Sequence, residues 1–319
     1  MSAHKPVIAL LEPDGFCEEA LRILESGAVV AKFSSRVDDL AELMDRCDVL
    51  WLRLGYRIQE KDIRTGQRCK CIATPVTGLN HIDLEACRRN HIKVISLKGE
   101  THFLNEVRAT AEHTFALLLS GIRRIVPAAE HVRLGGFNRD LFEGRELFQK
   151  TLGVIGYGRL GKMVAAYARA FGMRVIVHEI DPGHAAREAD IINMDLDALL
   201  QEADVVSLHV DWRPENQHLV DAGFLANMKK TAWLINTSRG GLIDEQALVT
   251  ALEKRWIAGA AIDVVEGEPD VDMDSLLMKY YRTHDNLLIT PHIGGKTTES
   301  VAKTEIFIAQ KIMDALHHA

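Results

Sequence analysis

The sequence predicts an α/β protein with two domains, each a doubly wound parallel sheet covered by helices. The chain has 319 residues, which is more than one ordinary hydrophobic core holds. Short β-branched runs alternate with longer amphipathic stretches, and this alternation starts again after a long helical stretch near the middle. We therefore expect one domain from residues 1–104 with 296–319 and another from residues 105–295.

The first third of the chain contains strand-like runs that are rich in β-branched and other apolar residues and are separated by helix-like stretches. These runs are Val7–Leu11, Val49–Leu52, Cys71–Thr74 and Val94–Ser96. A long helix-like stretch from Ala109 to about His131 follows, and we expect Pro127 to interrupt it. Its nearly continuous apolar run predicts a helix that is buried on more than one side.

The second alternation begins at Thr151 and supplies six strand-like runs, which is enough for a complete dinucleotide-binding fold. They are Leu152–Ile155, Val175–Glu179, Val205–Val210, Trp233–Asn236, Ala260–Val264 and Leu287–Ile289. The last stretch, Thr297–His317, has the pattern of a single helix.

Composition narrows the possible classes of protein. The net charge of −7 argues against a general affinity for nucleic acid or for anionic membranes. No apolar run reaches the roughly 20 residues of a membrane span, and the first residues lack a signal-peptide pattern, so we expect a cytoplasmic protein. The five cysteines form no C-x-x-C pair, so we predict buried free thiols and neither a disulfide nor a metal site.

The clearest motif is the glycine pattern Gly156-Tyr157-Gly158-Arg159-Leu160-Gly161, with a predicted strand before it and a predicted helix after it. Gly156 permits a tight turn, Gly158 leaves room for a pyrophosphate, and Gly161 lets the helix pack closely on the strand. Free N–H groups at the start of the helix favour the bound phosphates. The motif predicts a dinucleotide site.

An acid at the end of the next strand favours NAD over NADP. Glu179 lies near the ~20-residue distance at which such a carboxylate binds the adenosine ribose hydroxyls. Its charge would repel the extra phosphate of NADP. Asp181 is the competing candidate, although a turn position before Pro182 also explains it.

Three later strands are followed by segments with polar side chains. Arg239, Glu268 and His292 come after the runs that end near Asn236, Val264 and Ile289. In an open parallel sheet the ligands bind beyond the carboxyl ends of the strands, so these three side chains should lie at the cofactor edge.

Four motifs follow one another along the chain: G-x-G-x-x-G, N-T-S-R-G-G, D-V-x-E-x-E-P and T-P-H-I-G-G. In this order they closely resemble the motifs of the D-isomer-specific 2-hydroxyacid dehydrogenases, which include phosphoglycerate, hydroxypyruvate and D-lactate dehydrogenases. The resemblance is strongest from Gly144 to Gly295 and is weaker around Gly78–Leu84 and Ala111–His113. It implies a flavodoxin-like substrate domain plus a Rossmann NAD-binding domain, in a short form without a regulatory domain.

The resemblance also implies roles in the interconversion of a small D-2-hydroxy acid and its 2-keto acid. Arg239 would bind the substrate carboxylate, because a guanidinium matches planar anions. His292 would be the general acid or base, and Glu268 would orient it and stabilise its charged form.

Further binding residues follow from the same resemblance. Besides the glycines and Glu179, the cofactor would contact Arg159, Leu160, His209, Thr237, Arg239, Asp263, His292 and Gly294. The substrate would contact Arg53, Thr77, Gly78, Leu79, Arg239 and His292. For Arg53 a solvated charge at the end of a strand is an equally good interpretation.

The sequence departs from the family pattern in places that bear on the substrate. Glu179 stands where aspartate is more usual, and Asp211-Trp212 follows a strand after which many relatives have proline. The segment Lys98–Val107 is longer than usual and lies where we expect substrate selection. The apolar helix Ala109–Ile125 suggests a homodimer, because its counterpart in the family packs across a two-fold axis.

Three other functions compete with the dehydrogenase interpretation. The first is a non-catalytic corepressor-like protein that senses NAD(H). The second is a formate dehydrogenase, in which we would expect glutamine at position 268 rather than glutamate. The third is a phosphonate or phosphite oxidoreductase. We expect a small-molecule substrate and neither a nucleic acid nor a membrane as partner.

Overall fold

Residues 5–181 and 191–317 are described by the computed structural model, and the chain divides into two units. Unit 1 comprises residues 1–107 and 296–319, and unit 2 comprises residues 108–295. The first boundary lies a few residues beyond the one that the sequence suggests. Each unit contains one parallel sheet, which confirms the predicted fold class.

Unit 1 has a five-stranded parallel sheet with the order β2-β1-β3-β4-β5, which is the flavodoxin-like order. The edge strand β2 is an addition to the strands expected from the sequence. Its half-exposed residues lack the continuous apolar run of a buried strand. The elements are β1 (Val7–Leu11), α1 (Glu18–Gly27), β2 (Val29–Phe33), α2 (Leu40–Arg46), β3 (Val49–Trp51), β4 (Cys71–Ala73), α3 (Leu84–Arg89), β5 (Lys93–Ile95), α4 (Thr101–Leu104) and, at the end of the chain, α12 (Thr298–His317).

Apolar cores lie on both faces of this sheet. On one face α1 and α12 pack together and bury residues such as Leu24 and Ile308. The segment Lys98–Val107 packs on α12, since Phe103 stacks on Phe307 with ring centroids 4.0 Å apart. Lys311 also forms an ion pair with Glu100. These contacts hold the segment within unit 1.

Unit 2 has a seven-stranded parallel sheet with the order β12-β11-β10-β9-β6-β7-β8. It contains the six expected strands and a short edge strand, β8, that the sequence pattern does not reveal. The elements are α5 (Ala109–Ile122), α6 (Ile125–Arg133), β6 (Thr151–Ile155), α7 (Arg159–Ala170), β7 (Arg174–His178), β8 (Ile192–Asn193), α8 (Leu196–Glu202), β9 (Val205–Leu208), α9 (Ala222–Asn227), β10 (Trp233–Asn236), α10 (Glu245–Glu253), β11 (Gly259–Ile262), α11 (Leu276–Tyr281) and β12 (Leu287–Ile289). Short 3₁₀ turns lie at Glu60–Asp62 in unit 1 and at Arg139–Leu141, Pro214–Asn216 and Gly240–Leu242 in unit 2.

The long helix expected from Ala109 breaks before Pro127, so the predicted position of the interruption is wrong. Arg124 adopts a left-handed conformation with φ of 52° and separates α5 from α6. Pro127 then lies in the first turn of α6, where a missing N–H breaks no intrahelical hydrogen bond.

Two further observations concern the described residues only. None of their helices is long and apolar enough to cross a membrane. All five cysteines are free thiols, and within residues 5–181 and 191–317 no three potential metal-ligating side chains cluster.

Candidate active site

The glycine turn connects β6 to α7 and leaves open space in front of the helix. Gly156 has φ of +90°, and a Cβ there would lie 2.9 Å from the backbone of His209. A Cβ on Gly161 would lie 2.2 Å from the Gly156 carbonyl oxygen. By contrast, a Cβ on Gly158 would meet nothing within 4 Å. Gly156 and Gly161 therefore serve packing, whereas Gly158 keeps clear the space that a pyrophosphate needs.

Glu179 lies directly after β7 and faces the glycine turn. Its Oε2 accepts a hydrogen bond of 2.7 Å from the backbone N–H of Tyr157. Its Oε1 accepts one of 2.9 Å from the N–H of Asp181. A carboxylate has about four acceptor sites, so Glu179 keeps capacity for ribose hydroxyls while it is fixed against the turn.

Two more predicted cofactor residues lie after β9 and β10. The Nε2 atom of His209 is 2.8 Å from the Ser207 hydroxyl. Its Nδ1 atom is buried and has no hydrogen-bond partner in the described part of the chain. Burial lowers the pKa of His209 to about 4, so the ring is neutral near pH 7. Thr237 is buried and its hydroxyl lies 2.8 Å from that of Thr114.

At the start of α7, Arg159 is the first helical residue and its burial lowers its pKa. Leu160 packs partly against the core of unit 2. Together with the open face of Gly158 and the buried, unpaired Nδ1 of His209, these residues fit a bound dinucleotide. Individual contacts to the cofactor stay predictions.

The order of three neighbouring strands brings the polar segments to one edge of the sheet. Strands β10, β11 and β12 are adjacent and parallel, so their carboxyl ends meet there. Arg239 is held by a turn in which the Asn236 side chain donates to the Arg239 carbonyl at 2.9 Å and accepts from the Ser238 N–H at 2.9 Å. Burial lowers the pKa of Arg239, and the charges of Glu268 and Asp211 oppose this effect.

Glu268 and His292 form the hydrogen-bonded pair that the sequence suggests. The Nδ1 atom of His292 is 2.5 Å from Oε2 of Glu268. The other oxygen, Oε1, accepts a bond of 2.7 Å from the N–H of Val265. Glu268 is therefore fixed by its own loop while it orients the imidazole. Only 25% of the His292 side chain is exposed, and its Nε2 atom is the nitrogen that remains for chemistry.

Asp263 has a role that the sequence analysis missed. Its side chain is only 1% exposed and accepts hydrogen bonds from His113, from the Thr290 hydroxyl and from the N–H groups of Ile293 and Gly294. Burial alone would raise the pKa of Asp263, but these hydrogen bonds outweigh it and the pKa is lowered. The charged carboxylate thus organises the loop that carries His292. The expected contact with the nicotinamide carboxamide stays a prediction.

The predicted substrate residues of unit 1 follow the adjacent strands β3 and β4. Arg53 donates through Nε and Nη2 to Glu305 Oε1 at 3.0 and 2.5 Å, and Glu305 is 1% exposed. Its Nη1 donates to the Glu12 and Asp14 carbonyls at 3.1 and 3.0 Å. Arg53 is therefore not a solvated charge, because most of its donors hold unit 1 together. Thr77, Gly78 and Leu79 lie at least partly exposed after β4, and their contact with substrate stays a prediction.

Substitutions at two glycines of the turn should affect different properties, NADH binding at Gly158 and the stability of the fold at Gly161. Gly158→Val should weaken NADH binding at least about 10-fold, because its side chain enters the open space, yet leave the thermal midpoint nearly unchanged. Gly161→Ala should destabilise the fold by about 1–3 kcal/mol, because the added carbon meets a backbone oxygen. Fluorescence titration with NADH and thermal unfolding measure the two effects. Tight NADH binding by Gly158→Val would contradict the cofactor site.

His209 should make stability depend on pH. An unfolded histidine takes up its proton near pH 6.5, whereas His209 in the folded protein does so only near pH 4. The unfolded state binds more protons between these values, so the free energy of unfolding should fall as pH falls from about 6.5 to 4, by at most about 3 kcal/mol. Urea unfolding at several pH values should show a smaller decline for His209→Gln. The exposed control His284→Gln should keep the wild-type decline. A His209→Gln decline equal to that of the wild type would refute the assignment.

Known proteins are similar to this chain in sequence and in fold. Residues 115–294 match the family model described as D-isomer specific 2-hydroxyacid dehydrogenase, NAD binding domain. The chain is 36% identical to D-3-phosphoglycerate dehydrogenase of Synechocystis over 96% of its own length, but it spans only 54% of that relative. It is 33% identical to hydroxypyruvate reductase of Thermotoga maritima, covering 88% of both chains.

Among solved structures, D-lactate dehydrogenase of Aquifex aeolicus, complexed with NAD and lactic acid, superposes with a TM-score of 0.84. That match has 27% identity and covers 98% of this chain and 96% of the other. Unit 2 is thus an NAD-binding domain, in agreement with the cofactor predicted from the glycine turn. The chain belongs to the D-isomer-specific 2-hydroxyacid dehydrogenase family.

Proposed function

We propose that this protein is an NAD-dependent dehydrogenase that interconverts a small D-2-hydroxy acid and its 2-keto acid. The observation that carries the proposal is the 2.5 Å pair between Glu268 and His292, at the same sheet edge as Arg239. The names of the relatives, which include a hydroxypyruvate reductase and a D-lactate dehydrogenase, support the same class of reaction.

The residues divide the chemistry between them. Arg239 binds the substrate carboxylate through its guanidinium and polarises the neighbouring carbonyl group. His292 donates the proton on Nε2 to the carbonyl oxygen during reduction and takes it back during oxidation. Glu268, bonded to Nδ1, orients the ring and stabilises the charged imidazole that precedes proton transfer. When bound, NADH supplies the hydride.

Substrate residues in unit 1 and the choice of cofactor complete the proposal. Thr77, Gly78 and Leu79 offer the substrate a turn after β4, and Arg53 has one Nη2 hydrogen left beyond the bonds that hold it in place. The carboxylate of Glu179 favours NAD, because it would repel the 2′-phosphate of NADP. A cytoplasmic location stays a prediction.

The direct test is NADH oxidation with a panel of 2-keto acids that includes glyoxylate, hydroxypyruvate and pyruvate. We expect turnover, a higher kcat/KM with NADH than with NADPH, and a loss of at least about 100-fold in kcat for His292→Ala with NADH binding retained. Glu268→Gln should lower kcat less and displace one limb of the pH–rate profile. No turnover with any keto acid, together with NADH binding, would instead favour a sensor such as a corepressor.

A homodimer remains part of the proposal, but its basis shifts from α5 to α6. Helix α5 buries its apolar side chains in the core of unit 2, so they are not available to a partner. Helix α6 buries none of its residues. It exposes Val132 at 52%, and beyond its end Leu134 and Phe137 are 75% and 92% exposed. Exposed apolar surface of this kind marks contact with another chain, and we propose a second copy of this one.

Charged substitutions on this surface should separate the subunits. Leu134→Asp with Phe137→Asp should convert a dimer to a monomer in sedimentation velocity, because the buried patch would receive two uncompensated charges. Met273→Asp, at another exposed apolar residue of unit 2, is the matched control and should stay dimeric. A wild-type protein that remains monomeric at high micromolar concentration would rule out this interface.

A further inference from the structure

The segment after β9 lies against the turn that carries Arg239. The Ser238 hydroxyl donates to the Val210 carbonyl at 2.5 Å, so the backbone next to Asp211 is attached to the residue before Arg239. On the other side of the arginine, a Cβ on Gly241 would lie 2.8 Å from Nε1 of Trp212. Val210 and Trp212 flank Asp211, and their contacts flank Arg239. The segment that carries Asp211 therefore packs against the turn that carries Arg239.

Internal hydrogen bonds hold this segment in one conformation. The Asn216 side chain donates to the Asp211 carbonyl at 2.7 Å and accepts from the N–H of Arg213 at 2.7 Å. The Trp212 indole donates to Gln217, which in turn donates to Glu266 at 3.0 Å. The position of the exposed Asp211 is therefore fixed by the segment on which it lies.

The charge of Asp211 acts on Arg239. Burial lowers the pKa of Arg239, and the negative charges of Asp211 and Glu268 counteract this. Glu245 accepts a bond of 2.8 Å from the N–H of Glu266, and its carboxyl also lies near the charge of Glu268. Burial raises the pKa of Glu245, and the charges of Glu266 and Glu268 add to that rise. The carboxylates of Asp211 and Glu268 thus act on Arg239, and Glu245 and Glu266 lie close to Glu268.

A count of the charges near Arg239 indicates which substrates can bind there. With His292 protonated for reduction, the positive charges of Arg239 and His292 balance the negative charges of Asp211 and Glu268. A 2-keto acid with one carboxylate then leaves a total of about −1, whereas a substrate with a second anionic group adds at least one more negative charge. The second group is only a few bonds from the bound carboxylate. Charges act over about 8 Å at physiological salt, so the charges beside Arg239 should act on a group this close to the bound carboxylate.

We propose that Asp211 is a specificity-determining residue that selects 2-keto acids whose side chain carries no second negative charge. The proposal rests on the proposed function, because it assumes that Arg239 binds the substrate carboxylate. It implies that 3-phosphohydroxypyruvate and 2-ketodicarboxylates are poor substrates relative to hydroxypyruvate, although several relatives are named D-3-phosphoglycerate dehydrogenases.

The test compares Asp211→Asn with the control Glu215→Gln, which removes an exposed carboxylate from the same segment. We expect Asp211→Asn to raise kcat/KM for 3-phosphohydroxypyruvate, relative to that for hydroxypyruvate, by about 3- to 10-fold. The gain should shrink at 0.5 M salt, because screening weakens the repulsion. Glu215→Gln should leave the ratio at its wild-type value.

A second measurement needs no turnover. Calorimetric titration of the NADH-loaded protein with D-lactate and D-malate, which do not react with the reduced cofactor, gives Kd values for a monoanion and a dianion. Asp211→Asn should tighten D-malate binding by a similar factor and leave D-lactate nearly unchanged. Equal effects on both ligands, or the same effect from Glu215→Gln, would overturn the role of Asp211. A panel with no turnover would overturn the proposed function alone, because the titrations still decide the binding preference.

Discussion

The buried carboxylate of Asp263 is the interaction on which the candidate site depends. It is charged, almost wholly removed from water, and accepts hydrogen bonds from a helix, a strand end and a loop. An ion in such a place is stable only when its acceptor sites are occupied, so the loop must fold around it. His292 lies in that loop with φ of 54°, and its own N–H donates to the Asp263 carbonyl at 2.8 Å. One buried charge thus holds the backbone of the proposed acid–base residue in an uncommon conformation.

The parallel sheet supplies the second constraint. Side chains from distant parts of the sequence meet because β10, β11 and β12 are neighbours that run in one direction. Short local bonds then refine each position, such as the Asn236 turn for Arg239 and the Val265 N–H for Glu268. The sheet brings the loops that carry Arg239, Glu268 and His292 to one edge, and hydrogen bonds within each loop then fix the position of its side chain.

Much of this arrangement could be predicted, because the glycine turn and the strand ends have local signatures. The edge strands β2 and β8 could not, since one is half-exposed and the other contains only two residues. The helix break at Arg124 could not be predicted, because a left-handed arginine has no sequence signature. Proline disrupts helices, so the sequence instead favours a break at Pro127. The hydrogen-bond partners of Arg53 and Asp263 could not be predicted from the sequence either. Glu305 is more than 250 positions from Arg53, and only the folded chain brings them together.

Sequence alone does not distinguish an acid that holds the fold from one that meets a ligand, but hydrogen-bond capacity does. Glu305 in unit 1 is buried, with one oxygen bonded to Arg53 and the other to the N–H of Cys17. Asp263 is similarly engaged by the chain itself. Glu179 is fixed by two backbone N–H groups and Glu268 by one, but both remain partly exposed and keep acceptor capacity beyond these bonds. A carboxylate that is held by the chain without being saturated can respond to a ribose or an imidazole. Glu179 and Glu268, the acids proposed to meet the ribose and the imidazole, share this intermediate state.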